Sequence, residues 1–195
     1  QGVKTCHQGA HPAVITRELL MDFSLTVEQV FIRTTMRKFI QRELQRDKVH
    51  ELDELGSYPG DLLGRIAEIG FCALNTPETY DGGGPDLPGT VIVMEEIAAV
   101  SPALAALFAS TSLFGGRVIA QFGSPSQQQD LLPKIALGNL KFGFANAAEL
   151  TRTQNLVQVS SDEPMLIING RVKNVLLSNK LDYLIVPAYP LGESE

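Results

Sequence analysis

The sequence predicts an α+β chain, in which an N-terminal all-α helical bundle precedes a partial antiparallel β domain. Three observations carry this. Through roughly the first two-thirds of the 195 residues, apolar positions recur every three to four, and capping residues open the runs. After Gly138 the apolar period shortens towards two. Near the end, Asn169-Gly170 stands between Ile168 and Val172, a turn dipeptide that predicts a hairpin at that point. Helices followed by strands, rather than alternating with them, argue for two successive domains. The expected segments are 1–20, 21–143 and 144–195.

Residues 1–20 read as a leader or an expression remnant. Gln1 is not an initiator, the composition suits a loop, and the long apolar core of a signal peptide is missing. Cys6, His7 and His11 are too few and too closely spaced for a metal centre, so no metal site is expected. Thr26 and Gln29 have the spacing of a capping box, with Leu25 and Val30 placed as a hydrophobic staple. The helix that follows should bury Val30, Phe31, Met36, Phe39, Ile40 and Leu44, and turn Arg33, Arg37, Lys38 and Arg42 to solvent. Residues 45–56 are polar and lead to a second helix, which Tyr58-Pro59 opens and Gly70 ends.

The next stretch organises the rest. Gly82, Gly83 and Gly84 lie between Pro77 and Pro85, a composition that cannot continue a helix and must form a shaped turn. At least one positive φ is expected within 82–84, with Tyr80 packed beneath. A helix over about 88–100 follows, and Ser101-Pro102 ends it while capping another over 103–121. That helix is rich in alanine, serine and glycine, which suits either close packing or space for a ligand. Ser124-Pro125 opens a last helix that Gly138 closes. Strands are expected over 157–160, 165–168 and 183–188, with a turn at 162–164. Their apolar faces and open edges call for a cover, and a second copy of the chain is the expected one.

Composition excludes several function classes. The net charge is −6 with basic residues scattered, which gives no nucleic-acid footprint. Residues 90–109 are the most apolar, but Glu95, Glu96 and Ser101-Pro102 interrupt them, so no membrane span of ~18 residues is expected. Cys72 lies in an apolar segment and reads as a buried free thiol, consistent with a reducing, cytoplasmic compartment.

The order of residues from Glu68 onwards is more specific. Pro77, Glu78, Tyr80, Gly82, Gly84 and Asp86 closely match the turn between early helices of acyl-CoA dehydrogenases, with Asp81 replacing one glycine. The likeness reaches Met21-Asp-Phe-Ser on one side, and Met94-Glu-Glu-Ile-Ala and Phe122-Gly-Ser-Pro-Ser on the other. The chain thus resembles that family over about residues 21–145. The resemblance implies FAD as cofactor, an acyl-CoA or other acyl thioester as substrate, an electron-transfer flavoprotein as acceptor, and a homo-oligomer. In such enzymes a glutamate removes the α proton while the β hydride passes to flavin. Matched positions are Leu107, Ser110 and Phe114 for the acyl chain, and Phe144, Asn146 and Ala147 for the flavin.

The resemblance weakens where the chemistry belongs. Ala147 stands at a flavin-facing threonine, Leu176 at a second one, and Asn174 at an aromatic residue between them. The family's C-terminal domain, which usually supplies the catalytic glutamate, has no counterpart in these residues, so no catalytic residue is nominated. Glu78, Glu95 and Glu96 read as solvated or capping acids. Two readings stay open: a flavin-dependent α,β-desaturase of acyl thioesters that is incomplete and inactive as this isolated chain, or a truncated non-catalytic relative acting as a scaffold or partner-binding subunit.

Overall fold

The computed structural model describes residues 24–55, 60–145, 157–162, 165–172, 175–176 and 180–190. The expectations for residues 1–20 and for Tyr58-Pro59 lie outside the described residues. Helix α1 (Val27–Glu43) starts as its capping box requires: Gln29 N donates to Thr26 Oγ1 at 3.2 Å, and Thr26 N donates to Gln29 Oε1 at 3.0 Å. Met36, Phe39 and Leu44 are buried as expected, and the inward face differs only in its first turn and at Glu43. Ile32, Met36, Phe39 and Glu43 are buried, while Val30 and Phe31 are exposed. Helix α4 (Leu87–Ala98) sets this choice, because its Gly89 leaves room for Ile32; a Cβ there would stand 2.9 Å from Ile32 Cδ1.

The expected solvent face of α1 is also a seam. Arg33 pairs with Glu95 at 2.8 Å and with Glu96 at 3.2 Å, and Arg37 pairs with Glu96 at 2.9 Å. Arg37 and Glu95 face water, where a single ion pair adds little to stability, so the seam orients α1 on α4 more than it stabilises it. Residues 45–56 are not a plain linker. They contain α2 (Arg46–Glu54), which buries only Val49 and pairs His50 with Glu54 at 3.3 Å. Val49 and Leu52, three residues apart, are its inward positions, too short an apolar run to stand out among so many polar residues.

Helix α3 (Gly60–Glu68) buries Leu62, Leu63 and Ile66, and ends at Gly70 with φ +84°. Beyond α4, Ser101 caps a single long helix, Pro102–Phe122, made of α5 (Pro102–Phe108), a π-helical segment (Ala109–Gly116) and α6 (Arg117–Phe122). At 21 residues and a mean hydropathy of 1.5, this helix is long and apolar enough to cross a membrane, contrary to expectation; half of its apolar window is buried within the fold. Helix α7 (Pro125–Ala136) opens on a second capping box and closes on a Schellman turn. There Gly138 N donates to Ile135 O and Asn139 N to Lys134 O, both at 2.9 Å, with Gly138 at φ +68°.

Among the described residues the strands form two small sheets. β1 (Phe142–Phe144) pairs in parallel with β4 (Tyr183–Ile185). β2 (Gln158–Asp162) lies between β3 (Met165–Asn169), antiparallel, and β5 (Tyr189–Pro190), parallel. The α+β class therefore holds, although only the β2–β3 pair is antiparallel. The hairpin also turns earlier than Asn169-Gly170 suggested, since β2 and β3 register through Asp162 opposite Met165. Gly170 instead permits close approach, because a Cβ on it would stand 2.7 Å from Val157 Cα. All five residues of β3 are exposed, including Leu166 at 71%.

Two apolar clusters hold the helices. The larger joins α1, α3, α4 and α5 through Met36, Leu63, Ile66, Val93, Leu104 and Phe108. The smaller joins α7 to β1 through Leu132, Ile135 and Phe142. Buried Glu43, at the end of α1, ties α1 to α3: it accepts from Arg42 Nε at 2.7 Å and pairs with Arg65. The Arg42 hydrogen bond, helped by the Arg65 charge against the opposing effect of burial, holds its carboxyl below the usual 4.5. A lowered native pKa adds stability that is present above the unfolded value and is lost as pH falls through the native one. Urea melts should therefore show stability falling below about pH 4.5, and Glu43→Gln should flatten that acid limb. An identical slope in both proteins would contradict the assignment.

Candidate functional site

The glycine turn is built by backbone pairing with the chain just before it. Gly83 N donates to Ala73 O at 3.1 Å, Gly84 N to Thr76 O at 3.0 Å, and Asp86 N to Leu74 O at 2.9 Å. Gly82 lies so close over Thr76 that a side chain would overlap the Thr76 carbonyl. The expected positive φ is found at Gly84 (+83°), and Asp81 also adopts one (+61°). Asp86 then caps α4, accepting from Gly89 N at 2.8 Å. Tyr80 reaches across to α7, where its hydroxyl meets Gln128 Oε1 at 3.2 Å. The Gln128 amide in turn donates to Ala120 O and Gly123 O, so the turn and the α6–α7 corner are one unit.

The second part of the site is the seam where β1 meets the π-helical segment. Thr111 Oγ1 accepts from Phe142 N at 3.1 Å, and Ser112 Oγ donates to Cys72 O at 2.9 Å. Gly115 faces the Phe142 ring, and a Cβ there would stand 2.8 Å from Phe142 Cγ. Wider i→i+5 turns of this kind are frequent at functional sites. Here the segment brings Phe114 onto Phe144 in a stacked pair, ring centroids 5.1 Å apart. Phe142 stacks on Tyr183 at 5.2 Å in the same way.

Beside the Phe114–Phe144 pair runs a groove of about 290 Å³, lined by Leu113, Phe114, Arg117, Val118 and Gln121. A shallower cleft of about 400 Å³ lies between α7 and β4, lined by Ser126, Gln127, Asp130, Leu131 and Tyr183. Of the residues matched to the acyl chain, Phe114 lines the groove, Ser110 is half-buried one turn earlier, and Leu107 is enclosed in the larger helical cluster. Of those matched to the flavin, Phe144 contacts Phe114, while Asn146 and Ala147 lie outside the described residues. Arg117 and Val118 had no part in the sequence reading. Their spacing from Leu113 and Phe114, one helical turn on, was the signal available.

Other chemistry is weakly provided. Cys72 is buried, and loss of solvation pushes its thiol up to about 12, which makes it no nucleophile near neutral pH. Glu96 and Glu95 are held by arginines, as described above. Among the described residues, no three His, Cys, Asp or Glu side chains group as a metal site.

Comparison with known proteins agrees on one relationship. Residues 26–139, more than half of the chain, match the family model described as acyl-CoA dehydrogenase, N-terminal domain. The CarC subunit of the caffeyl-CoA reductase-Etf complex of Acetobacterium woodii is 32% identical over 114 residues, 58% of this chain and 30% of that protein. Among solved structures, a chain in that of the electron transferring flavoprotein of Acidaminococcus fermentans superposes with a TM-score of 0.75 at 25% identity, over 85% of this chain and 44% of the other. Butyryl-CoA dehydrogenase from Megasphaera elsdenii gives 0.73 at 22% identity, over 84% and 45%, a likeness of fold. The chain spans less than half the length of these relatives.

The seam supplies a test within two adjacent residues. Gly115→Ala should destabilise by ~1–3 kcal/mol, because the new methyl meets a buried, stacked ring that cannot swing aside. Gly116→Ala meets Ile135 Cγ2 at 3.7 Å and Thr111 O at 3.9 Å, both ordinary contacts, and should be neutral or gain up to about 1 kcal/mol from helix propensity. Chemical denaturation of both variants decides it; equal effects would remove the seam's special status.

Proposed function

We propose, from the premise that the chain belongs to the acyl-CoA dehydrogenase family, that these residues bind an acyl thioester but do not dehydrogenate it unaided. On this reading residues 21–143 are the helical domain and 144–195 the start of the β domain. The observation that carries the reading is the contact between Phe114 and Phe144, which joins a position matched to the acyl chain with one matched to the flavin. The groove beside it is apolar, as an acyl chain requires. Phe114, Ser110 and the groove walls would hold the chain and exclude water from it.

The flavin itself fits poorly. In the family the cofactor accepts a hydride, and its ring edge carries several donors and acceptors. The described residues at the matched places, Phe144 and Leu176, offer no polar side-chain atom, and Leu176 is exposed. Each flavin polar group buried without a partner costs roughly 1–3 kcal/mol. Two such losses weaken binding by ~10²-fold or more. The purified 195-residue chain should therefore be colourless, and inactive with acyl-CoA and an artificial electron acceptor. A stoichiometric flavin spectrum surviving gel filtration would overturn this and restore a flavin-dependent desaturase.

A second reading rests on β3. Among the described residues its outer edge has no pairing strand, and Met165, Leu166, Ile167 and Ile168 are exposed on both faces, which suits a scaffold or partner-binding subunit. An electron-transfer flavoprotein is the partner that the name of the CarC relative suggests. A second copy of the chain is the other, and a free buried Cys72 fits the cytoplasm as their setting. Light scattering at micromolar concentration should find at least a dimer; a monodisperse monomer would count against self-association.

A further inference from the structure

The groove beside the ring pair has one charged wall. Leu113, Phe114 and Val118 make it apolar, and Arg117 stands among them with its surface exposed. Arg33, Arg37, Arg42 and Arg65 each meet a carboxylate, whereas Arg117 meets none among the described residues. Its methylene stem can complete the apolar wall while the guanidinium fork keeps all its donors for something else. An apolar trough with a free guanidinium at its rim complements an amphiphilic anion. At about 290 Å³ the groove is at the small end of ligand pockets, which suits a single acyl chain and not a dinucleotide.

We propose that Arg117 binds the anionic end of an acyl thioester whose chain lies in this groove, an inference that rests on the acyl-thioester reading above. The anion is a set of oxygens in the plane of the guanidinium, supplied either by a carboxylate at the far end of the acyl group or by phosphate on the thiol carrier. Either source makes the site select charged over neutral ligands of equal chain length.

Three probes separate the sources: octanoyl-pantetheine, which has no anion; its ω-carboxylated counterpart; and octanoyl-CoA. Calorimetric titration of the full chain should show at least one charged probe binding about tenfold or more tightly than the neutral one. Arg117→Gln should abolish that gap by bringing the charged probes' affinity down to that of the neutral one. Arg46→Gln, a change at an exposed arginine on α2, should keep the gap. The arm in which the gap appears identifies carboxylate or phosphate. A gap that survives Arg117→Gln, or no gap while the neutral probe still binds, overturns the role of Arg117 and leaves the acyl reading intact. Failure of all three probes to bind overturns both.

Discussion

Phe142 can lie against the long helix because residue 115 has no side chain, and much of the site depends on that close approach. The strand it belongs to is only three residues long, too short to be stable by its own ladder. It is held from three sides instead: by the Gly115 notch, by the Thr111 hydroxyl on its first amide, and by Leu132 and Ile135 of α7. Once Phe142 is seated, alternation along the strand returns Phe144 to the helix two residues later, where it meets Phe114. The parallel partner β4 then adds Tyr183 to the outer side of Phe142. A short strand therefore acquires a defined position from its neighbours.

The glycine turn plays a comparable part at the other end of the same helix corner. A loop of that length inside a bundle has many backbone groups to satisfy. Here they are paired locally with residues 73–77, so the turn needs no support from a neighbouring sheet. A long-range side-chain tie, Tyr80 to Gln128, passes through an amide that also closes the α6–α7 corner. The turn, the corner and the strand seam consequently share α7 as their common wall. A displacement of α7 would be felt at all three, which gives a physical reason for its two well-made ends, a capping box and a Schellman turn.

What was legible in the sequence follows from how local each signal is. Thr26, Ser101 and Ser124 cap helices using atoms within three residues, and all three do so here. The positive φ near Gly84 is local in the same sense. The first turn of α1 was misjudged because Val30, Phe31 and Ile32 are all apolar, while Gly89, some sixty residues on, is among the neighbours that leave room for Ile32. Arg33 and Arg37 looked like a solvated face for the same reason, since Glu95 and Glu96 are distant in sequence. The Asn169-Gly170 dipeptide misled because a glycine can serve close approach as well as a turn, and Val157 was the neighbour that required it. No periodic pattern announces a π-helical turn, because one extra residue in the spacing of small side chains looks like noise.

The same distinction separates the two halves of the candidate site. The acyl-side positions lie on a helix whose burial is enforced from both flanks, so the fold itself holds Phe114 and the groove in place. Of the flavin-side positions, Phe144 lies on a three-residue strand, and its side chain is apolar where a ring edge would need donors. Leu176 is exposed, and a hydrocarbon exposed at that place gains nothing from the fold and offers nothing to a polar cofactor. On the acyl-thioester reading proposed above, an apolar groove beside apolar side chains at the described flavin-matched positions favours contact with the acyl group over contact with the cofactor. The charged rim at Arg117 belongs to the retained half, where a rigid helix can present a guanidinium beside an apolar surface at a fixed spacing.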